Sequence, residues 1–549
     1  MAYPYSLERN PYPSSPTPTI ADAQVLGGKR HRDAKTAIVS CVSELHGKVV
    51  EKRSSTERDF RLITVIQDVG SGKTHLALHT KTSREISEMT CAAYADLSQI
   101  SPRNIQSLFA GMIAGFSEEH LQEIRRAAVK LLLAKADKNI GIAKRVFNYG
   151  FFDALRGKSL QDKASFVLAG ESEPSYQAIS ELLSSEYTPG EISVINLIMQ
   201  RRFNPEGVGT CSTLEDAIDN LATIASVNLK LLGKVTFFQL DEFEPDKEST
   251  DFVKAVINAH LPSTVMMLIF TPSSYDALSK ANVSVFDRLE KANYKIDLAG
   301  SNSVEEVLDI VLEYIRHYDK SGSVFSEDEQ RDLAAKIRVI YDEFPDFRNV
   351  RSMLNIMYHA TENAARRNLT VIDEQAVDDT IKSAYPGLRI RGSVMDVPIS
   401  DFIRIRRNCV DPQTLESGVR NAVRDLVNYA HEFGLVARPL AAEGKGNGVD
   451  VIFSDPYGTK VAVAVVINKE HARSFEQISN TLKSTGFVDK LIILTNANTA
   501  GGAGGSTVVN IDRCKMIDLI YFSNKYQNHE MVQDDSERAL LLAKSIRLC

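Results

Sequence analysis

The run LITVI, Leu62 to Ile66, passes directly into QDVGSGKT, and no other junction constrains the fold as much. A short, almost wholly apolar run reads as a strand buried on both faces, which requires a sheet covered by helices on either side. Glycines then supply a turn, and a helix start follows. VTFFQLDEFE and STVMMLIFTPSS have the same character, apolar runs that end in polar residues, and CAAYADLSQI reads as another strand. The expected fold class is therefore α/β, built on a parallel sheet.

The loop also carries chemistry. Close approach of backbone to phosphate needs glycines, and a following helix offers free N–H groups to an anion. A lysine serves the β- and γ-phosphates and a hydroxyl holds Mg²⁺. Gly70, Ser71, Gly72, Lys73, Thr74 and His75 form the candidate nucleotide-binding set, with ATP and Mg²⁺ as the expected ligands. Gln67 stands where such a loop normally opens with glycine, so the expectation is altered loop geometry with binding retained. VTFFQLDEFE delivers Asp241 and Glu242 at a strand end, where one acid can support the metal and its neighbour can activate water.

At 549 residues the chain is long for one core and is expected to form three or four domains. Residues 1–24 are Pro/Ser-rich and read as an extended, mostly unpaired lead-in. The nucleotide-binding core is expected over 25–300, with a helical insertion at about 101–227, a helical lid over 301–385 and a basic linker over 386–410. In the lid, Ser303 with Glu306 and Ser326 with Glu329 have the spacing of capping boxes. Residues 411–549 change pattern to helix, three strands, helix, strand. Six cysteines without C-x-x-C spacing fit reduced cytosolic thiols. No apolar run approaches the ~20 residues that span a bilayer, so a cytoplasmic protein without membrane contact is expected. The net charge of −7 gives no global attraction to DNA, which leaves only local patches.

Residues 25–385 resemble the AAA+ ATPases, specifically the branch containing the archaeal and eukaryotic origin-recognition and replication-initiator proteins. The resemblance places VLGGKRHRDAK beside adenine and puts Thr271 of LIFTPSS in a sensor-1 position. It implies an arginine finger at Arg288 of VFDRLEKANYKIDLAG. In FPDFRNVRSMLNIMYHA it implies a sensor-2 role for Arg348, with Pro345 in place of the motif's glycine. Glu242, Lys73, Thr271, Arg288 and Arg348 are thus the candidate catalytic residues, and Thr74 and Asp241 the candidate metal residues. Gln67 and the long insertion depart from the family pattern.

The C-terminal element order resembles the restriction-endonuclease-like fold of the PD-(D/E)xK superfamily. Asp450 matches its first acid and Glu416 its helical acid, but Ala462, Val463, Ala464 and Val465 stand where a carboxylate and a lysine belong. Lys469 and Glu470 lie just past that strand. The expectation is a nuclease-shaped module that holds DNA or protein without cutting. Arg389, Arg391, Arg404, Arg406 and Arg407 form a local basic stretch, read either as an exposed strand edge or as a phosphate-backbone contact.

Three functions follow. The first is an oligomerising ATPase that loads onto or remodels DNA. The second is a nucleotide-controlled switch or scaffold of defence or signalling type, whose insertion or C-terminal module binds protein. The third is an active nuclease–ATPase fusion.

Overall fold

The computed structural model describes residues 3–15, 19, 22–52, 54–136, 140–208, 211–319, 325–385, 392–409, 411–436, 438–440, 449–467, 488–496 and 506–548. The chain divides into two compact units, Met1–Val371 and Ile372–Cys549, so the division falls within the segment assigned to the lid.

In the first unit, helix α1 (Lys29–Val49) precedes β1 (Phe60–Gln67), and helix α2 starts at Lys73 and runs to Thr82. Strands β2 (Thr90–Asp96), β3 (Val235–Asp241), β4 (Thr264–Phe270) and β5 (Tyr294–Leu298) complete a sheet of order β2-β3-β4-β1-β5. All its pairings are parallel. The chain leaves β1 toward β2 on one side and leaves β4 toward β5 on the other. The carboxyl ends of β1 and β4 therefore flank a crevice where ligands bind in open α/β sheets.

Strand alternation divides the core between the sheet's two faces. Ile63 and Val65 share a core with Ile38 and Val42 of α1 and Leu76 of α2. Leu62 and Ile66 share the other with Phe238, Leu240 and Leu268. That second core takes in Leu108, Phe109 and Met112 of helix Ile105–Ala114, and Leu221 and Ile224 of helix Leu214–Leu232. The long helical stretch between β2 and β3 is thus a structural layer of the sheet.

Three lid helices follow in this unit, Val304–Tyr318, Glu327–Glu343 and Val350–Arg366. Both expected capping boxes form, at Ser303/Glu306 and Ser326/Glu329. The reading of the N-terminal segment as unpaired is corrected. Tyr5, Leu7 and Tyr12 are buried. Tyr5 packs on Phe325 with ring centroids 5.0 Å apart, and Tyr12 lies 6.0 Å from Tyr314. Asn10 Nδ2 donates to Tyr358 O at 3.0 Å and to Glu362 Oε1 at 2.9 Å. The aromatic residues interleaved with the prolines give this segment enough apolar area to dock on the lid helices.

The second unit contains helices Glu374–Ala384, Ile399–Asn408 and Pro412–Glu432. A sheet of order β10-β9-β8-β7-β6 follows, made of Arg438–Leu440, Val451–Ser454, Lys460–Val466, Lys490–Thr495 and Ser506–Asn510 in chain order β6 to β10. β6, β7 and β8 pair antiparallel, whereas β8, β9 and β10 pair parallel. Helices Arg513–Gln527 and Gln533–Ser545 close the unit. Val419, Val423, Leu426 and Ala430 bury one face of Pro412–Glu432, as their spacing predicts. The helix expected in SFEQISNTLKST lies outside the described residues.

Arg404 and Arg406 sit on a helix, which overturns the strand-edge reading. Pro398 opens that helix, and Phe402 and Ile405, three apart, are its buried anchors. The Arg-Ile-Arg alternation is thus incidental to a helical period. Arg404 pairs with Asp401 at 2.7 Å. The side chain of Arg407, and Arg389 and Arg391 altogether, lie outside the described residues.

Candidate nucleotide-binding site

The loop from Asp68 to Gly72 leaves the carboxyl end of β1, and its glycines take left-handed backbone, φ +78° at Gly70 and +109° at Gly72. At Gly72 a Cβ would also lie 3.3 Å from His31 Nε2, a tight approach, and the left-handed backbone is what requires glycine. Gln67, fully buried, forms the floor of the loop. Its Nε2 donates to Ser71 O at 3.0 Å and lies 2.8 Å from His31 Nε2. Burial holds His31 neutral and lowers its pKa to about 4, which leaves Nε2 free to accept the amide hydrogen. A side chain has taken over the position where a glycine was expected, and it ties strand, loop and α1 together.

Lys73 and Thr74, the first residues of α2, face Glu242, just past β3, and Asp241, its last residue, in two consecutive pairs. Lys73 Nζ lies 3.1 Å from Glu242 Oε1, and Thr74 Oγ1 donates to Asp241 Oδ2 at 2.7 Å. The Lys73 ammonium is buried and, although close to Glu242, is not aligned for a hydrogen bond with any protein group. Asp241 is fully buried. Burial raises its pKa, against hydrogen bonds from Thr74, the Glu242 amide and Tyr94. The Tyr94 hydroxyl reaches the same oxygen as Thr74, at 3.0 Å. Glu242 adopts φ +51°, a conformation that a non-glycine residue holds at a cost of about 1–3 kcal/mol. This kink interrupts the strand's alternation, so both acids serve the mouth of the loop.

The loop opens into a pocket of about 900 Å³, its solvent mouth included. Val25, Leu26, Gly27, Ile310, Tyr314 and Leu354 give it an apolar end opposite the glycine loop. Gly27 allows the chain to pass against helix Val304–Tyr318, since a Cβ there would stand 2.6 Å from Ile310 Cα. The charged run that follows ties α1 to that helix. Arg32 pairs with Asp309 at 2.7 Å, Arg30 lies 3.6 Å from Glu306, and the Gly28 amide donates to Asp309 Oδ2 at 3.1 Å. His75 bonds the Val25 carbonyl, and burial lowers its pKa. Its ring holds the apolar segment against α2.

The remaining candidates lie outside the pocket lining. Thr271 caps helix Pro272–Ala281, accepting from Ser274 N at 3.1 Å. Arg288 is half-exposed in the last turn of helix Val283–Glu290. Arg348 caps helix Glu327–Glu343, donating to the carbonyls of Tyr341 and Asp342 at 3.0 Å each. Arg351, in helix Val350–Arg366, is among the residues that line the pocket, and its backbone amide donates to Gly70 O at 3.4 Å. Sequence reasoning also missed His31, Tyr94, Tyr314 and Asn355. Asn349, which caps helix Val350–Arg366, carried the signal for Arg351, because it places that residue in the first turn.

In the second unit, Glu416 and Asp450 come together at one arginine, Arg420. Lys469 lies outside the described residues. No group of three or more His, Cys, Asp or Glu able to hold a metal occurs among the described residues.

A nucleotide and its cation fit the first site on this structure's own terms. A buried ammonium whose protein partner is the Glu242 carboxylate stands at the start of α2, where helix N–H groups favour an anion, and a hydroxyl–carboxylate pair stands beside it. An apolar wall lies within reach for a base.

No family model matches the sequence, and no curated protein matches it. Among solved structures, the chain is similar to the Aeropyrum pernix ORC2 protein in its ADPNP–ADP complexes. The identity is 12% over 75% of this chain and 76% of that chain, with a TM-score of 0.36.

Proposed function

We propose that the protein binds ATP with Mg²⁺ in this pocket and hydrolyses it, as an AAA+ ATPase whose turnover drives assembly on, loading onto or remodelling of DNA. The observation that carries the reading is the double pairing of Lys73 with Glu242 at 3.1 Å and Thr74 with Asp241 at 2.7 Å. Amides at the start of α2 receive phosphate oxygens, and Lys73 binds them as well. Once Lys73 has turned to phosphate, the Glu242 carboxylate is released to orient and deprotonate the attacking water. Thr74 and Asp241 would hold Mg²⁺, which supplies charge neutralisation on the phosphates. Arg351 faces the same pocket and offsets negative charge that develops on the terminal phosphoryl group. Val25, Leu26 and Tyr314 cover the base. Arg288, half-exposed and outside this pocket, is the proposed arginine finger of an oligomer.

The test is steady-state ATP hydrolysis by wild type, Lys73→Ala and Glu242→Gln, each with and without duplex DNA. Both variants should lose turnover, and DNA should raise the wild-type rate through the Arg404–Arg407 helix. Wild-type protein that binds ATP no better than Lys73→Ala would sink the reading. Phe151, Phe152 and Leu155, exposed by 75%, 75% and 67% on one short insertion helix, favour a second reading, a switch that presents this surface to a protein. In that case ATP is bound tightly, turnover is negligible and DNA has no effect.

A further inference from the structure

The second unit gathers two carboxylates and sets a backbone amide or a guanidinium beside each of their oxygens. Glu416 stands on the second turn of helix Pro412–Glu432, and its Oε2 accepts from the Ile467 amide at 3.0 Å. Its Oε1 is bonded by Arg420, one turn further along the same helix. Asp450, just before β7, accepts from the Val465 amide through Oδ2 at 2.7 Å, and its Oδ1 lies 3.2 Å from Arg420 Nε, an ion pair that is not aligned as a hydrogen bond. Arg424, the next residue on that helix face, donates to the Asp450 carbonyl at 3.0 Å. The Glu416 and Asp450 side chains are 16% and 9% exposed, so both charges are largely withdrawn from water.

Two such carboxylates destabilise one another unless one takes up a proton or a cation lies beside both, and a divalent ion is one such cation. Here a guanidinium contacts both, and the two backbone amides take the remaining oxygens. We propose that Arg420 is a built-in cation in the place of a divalent ion, so that the second unit is a metal-independent module whose carboxylate pair is structural. This inference does not depend on the ATPase reading, since every residue in it belongs to Ile372–Cys549.

The test uses the full-length chain, nucleotide-free, with Asp241→Asn in the background to silence the first unit's cation site. Mn²⁺ binding is followed by electron paramagnetic resonance, and melting is followed with MnCl₂ or EDTA. With Arg420 present, no Mn²⁺ should bind, and neither addition should shift the melting of the second unit. Arg420→Ala should gain one Mn²⁺ and recover stability with it, and Asp450→Asn added to Arg420→Ala should abolish both effects. If Arg420→Ala does not fold, Arg420→Gln supplies the same test: it removes the charge while keeping a polar side chain, should gain one Mn²⁺, and overturns the proposal if it folds and gains none. A bound Mn²⁺ in the presence of Arg420 that Asp450→Asn removes, or a folded Arg420→Ala that gains none, overturns the proposal.

Discussion

Gln67 Nε2 lies 2.8 Å from His31 Nε2, beneath a loop whose Ser71 carbonyl the same amide also reaches. Restoring glycine at position 67 should therefore weaken ATP binding. Loss of two buried hydrogen bonds costs about 1–3 kcal/mol, roughly a 5- to 150-fold loss of affinity. Titration of Gln67→Gly with a fluorescent ATP analogue checks this, and tighter binding than wild type would show the glutamine to be a defect.

Acid should destabilise the first unit between pH 6.5 and 4. Burial lowers the pKa of both His31 and His120 from 6.5 to about 4. Their neutral forms are favoured by folding, so their contribution is fully present above pH 6.5 and lost as pH falls through the folded value. A displacement of this size corresponds to about 3 kcal/mol for each histidine. Urea melts at pH 7.5 and pH 5 measure it. Replacing His120 with a neutral residue should flatten the dependence.

Arg351 and Arg348 should separate in their effects. Arg351 lines the pocket, so Arg351→Ala should lower kcat by about 10–100-fold with the fold unchanged. Arg348 spends its donors on helix carbonyls, so Arg348→Ala should cost about 1 kcal/mol of lid stability and leave kcat within a few-fold of wild type. Single-turnover hydrolysis beside thermal melting distinguishes them, and a reversed pattern would return the sensor role to Arg348.

Tyr94 shares Asp241 Oδ2 with Thr74 and fixes how that carboxylate is presented. Groups that orient a metal-binding residue are worth about 10–100-fold in metal affinity. Tyr94→Phe should raise the Mg²⁺ concentration needed for half-maximal turnover by about tenfold, as an activity titration would read. No change would leave Tyr94 a packing residue.

The docked N-terminal segment should contribute to nucleotide retention. Tyr12 is buried against Tyr314, a pocket-wall residue, and Pro13 lines the pocket itself. Tyr12→Ala should destabilise the lid by about 3–5 kcal/mol, as large aromatic truncations do, and speed ADP release. Stopped-flow displacement of a fluorescent ADP gives the rate.

Local pattern alone was enough to read β1 to β4, the glycine loop and the acidic strand end, because each depends on residues within about ten positions of one another, whereas β5 was not read. Ser303 with Glu306 and Ser326 with Glu329 form their capping boxes for the same reason. Charge alternation at Arg404–Arg406 misled because two periods compete in a short segment, and the buried pair Phe402/Ile405 decided for helix. Tertiary structure alone decided the rest. His31 and Gln67 are 36 residues apart, Thr74 and Asp241 are 167 apart, and each pair is made by packing across the sheet. The choice of Arg351 over Arg348 turned on where a helix begins relative to Gly70. Hydrogen bonds and ion pairs act only within a few ångströms, and only the folded sheet and lid bring such distant residues within that range.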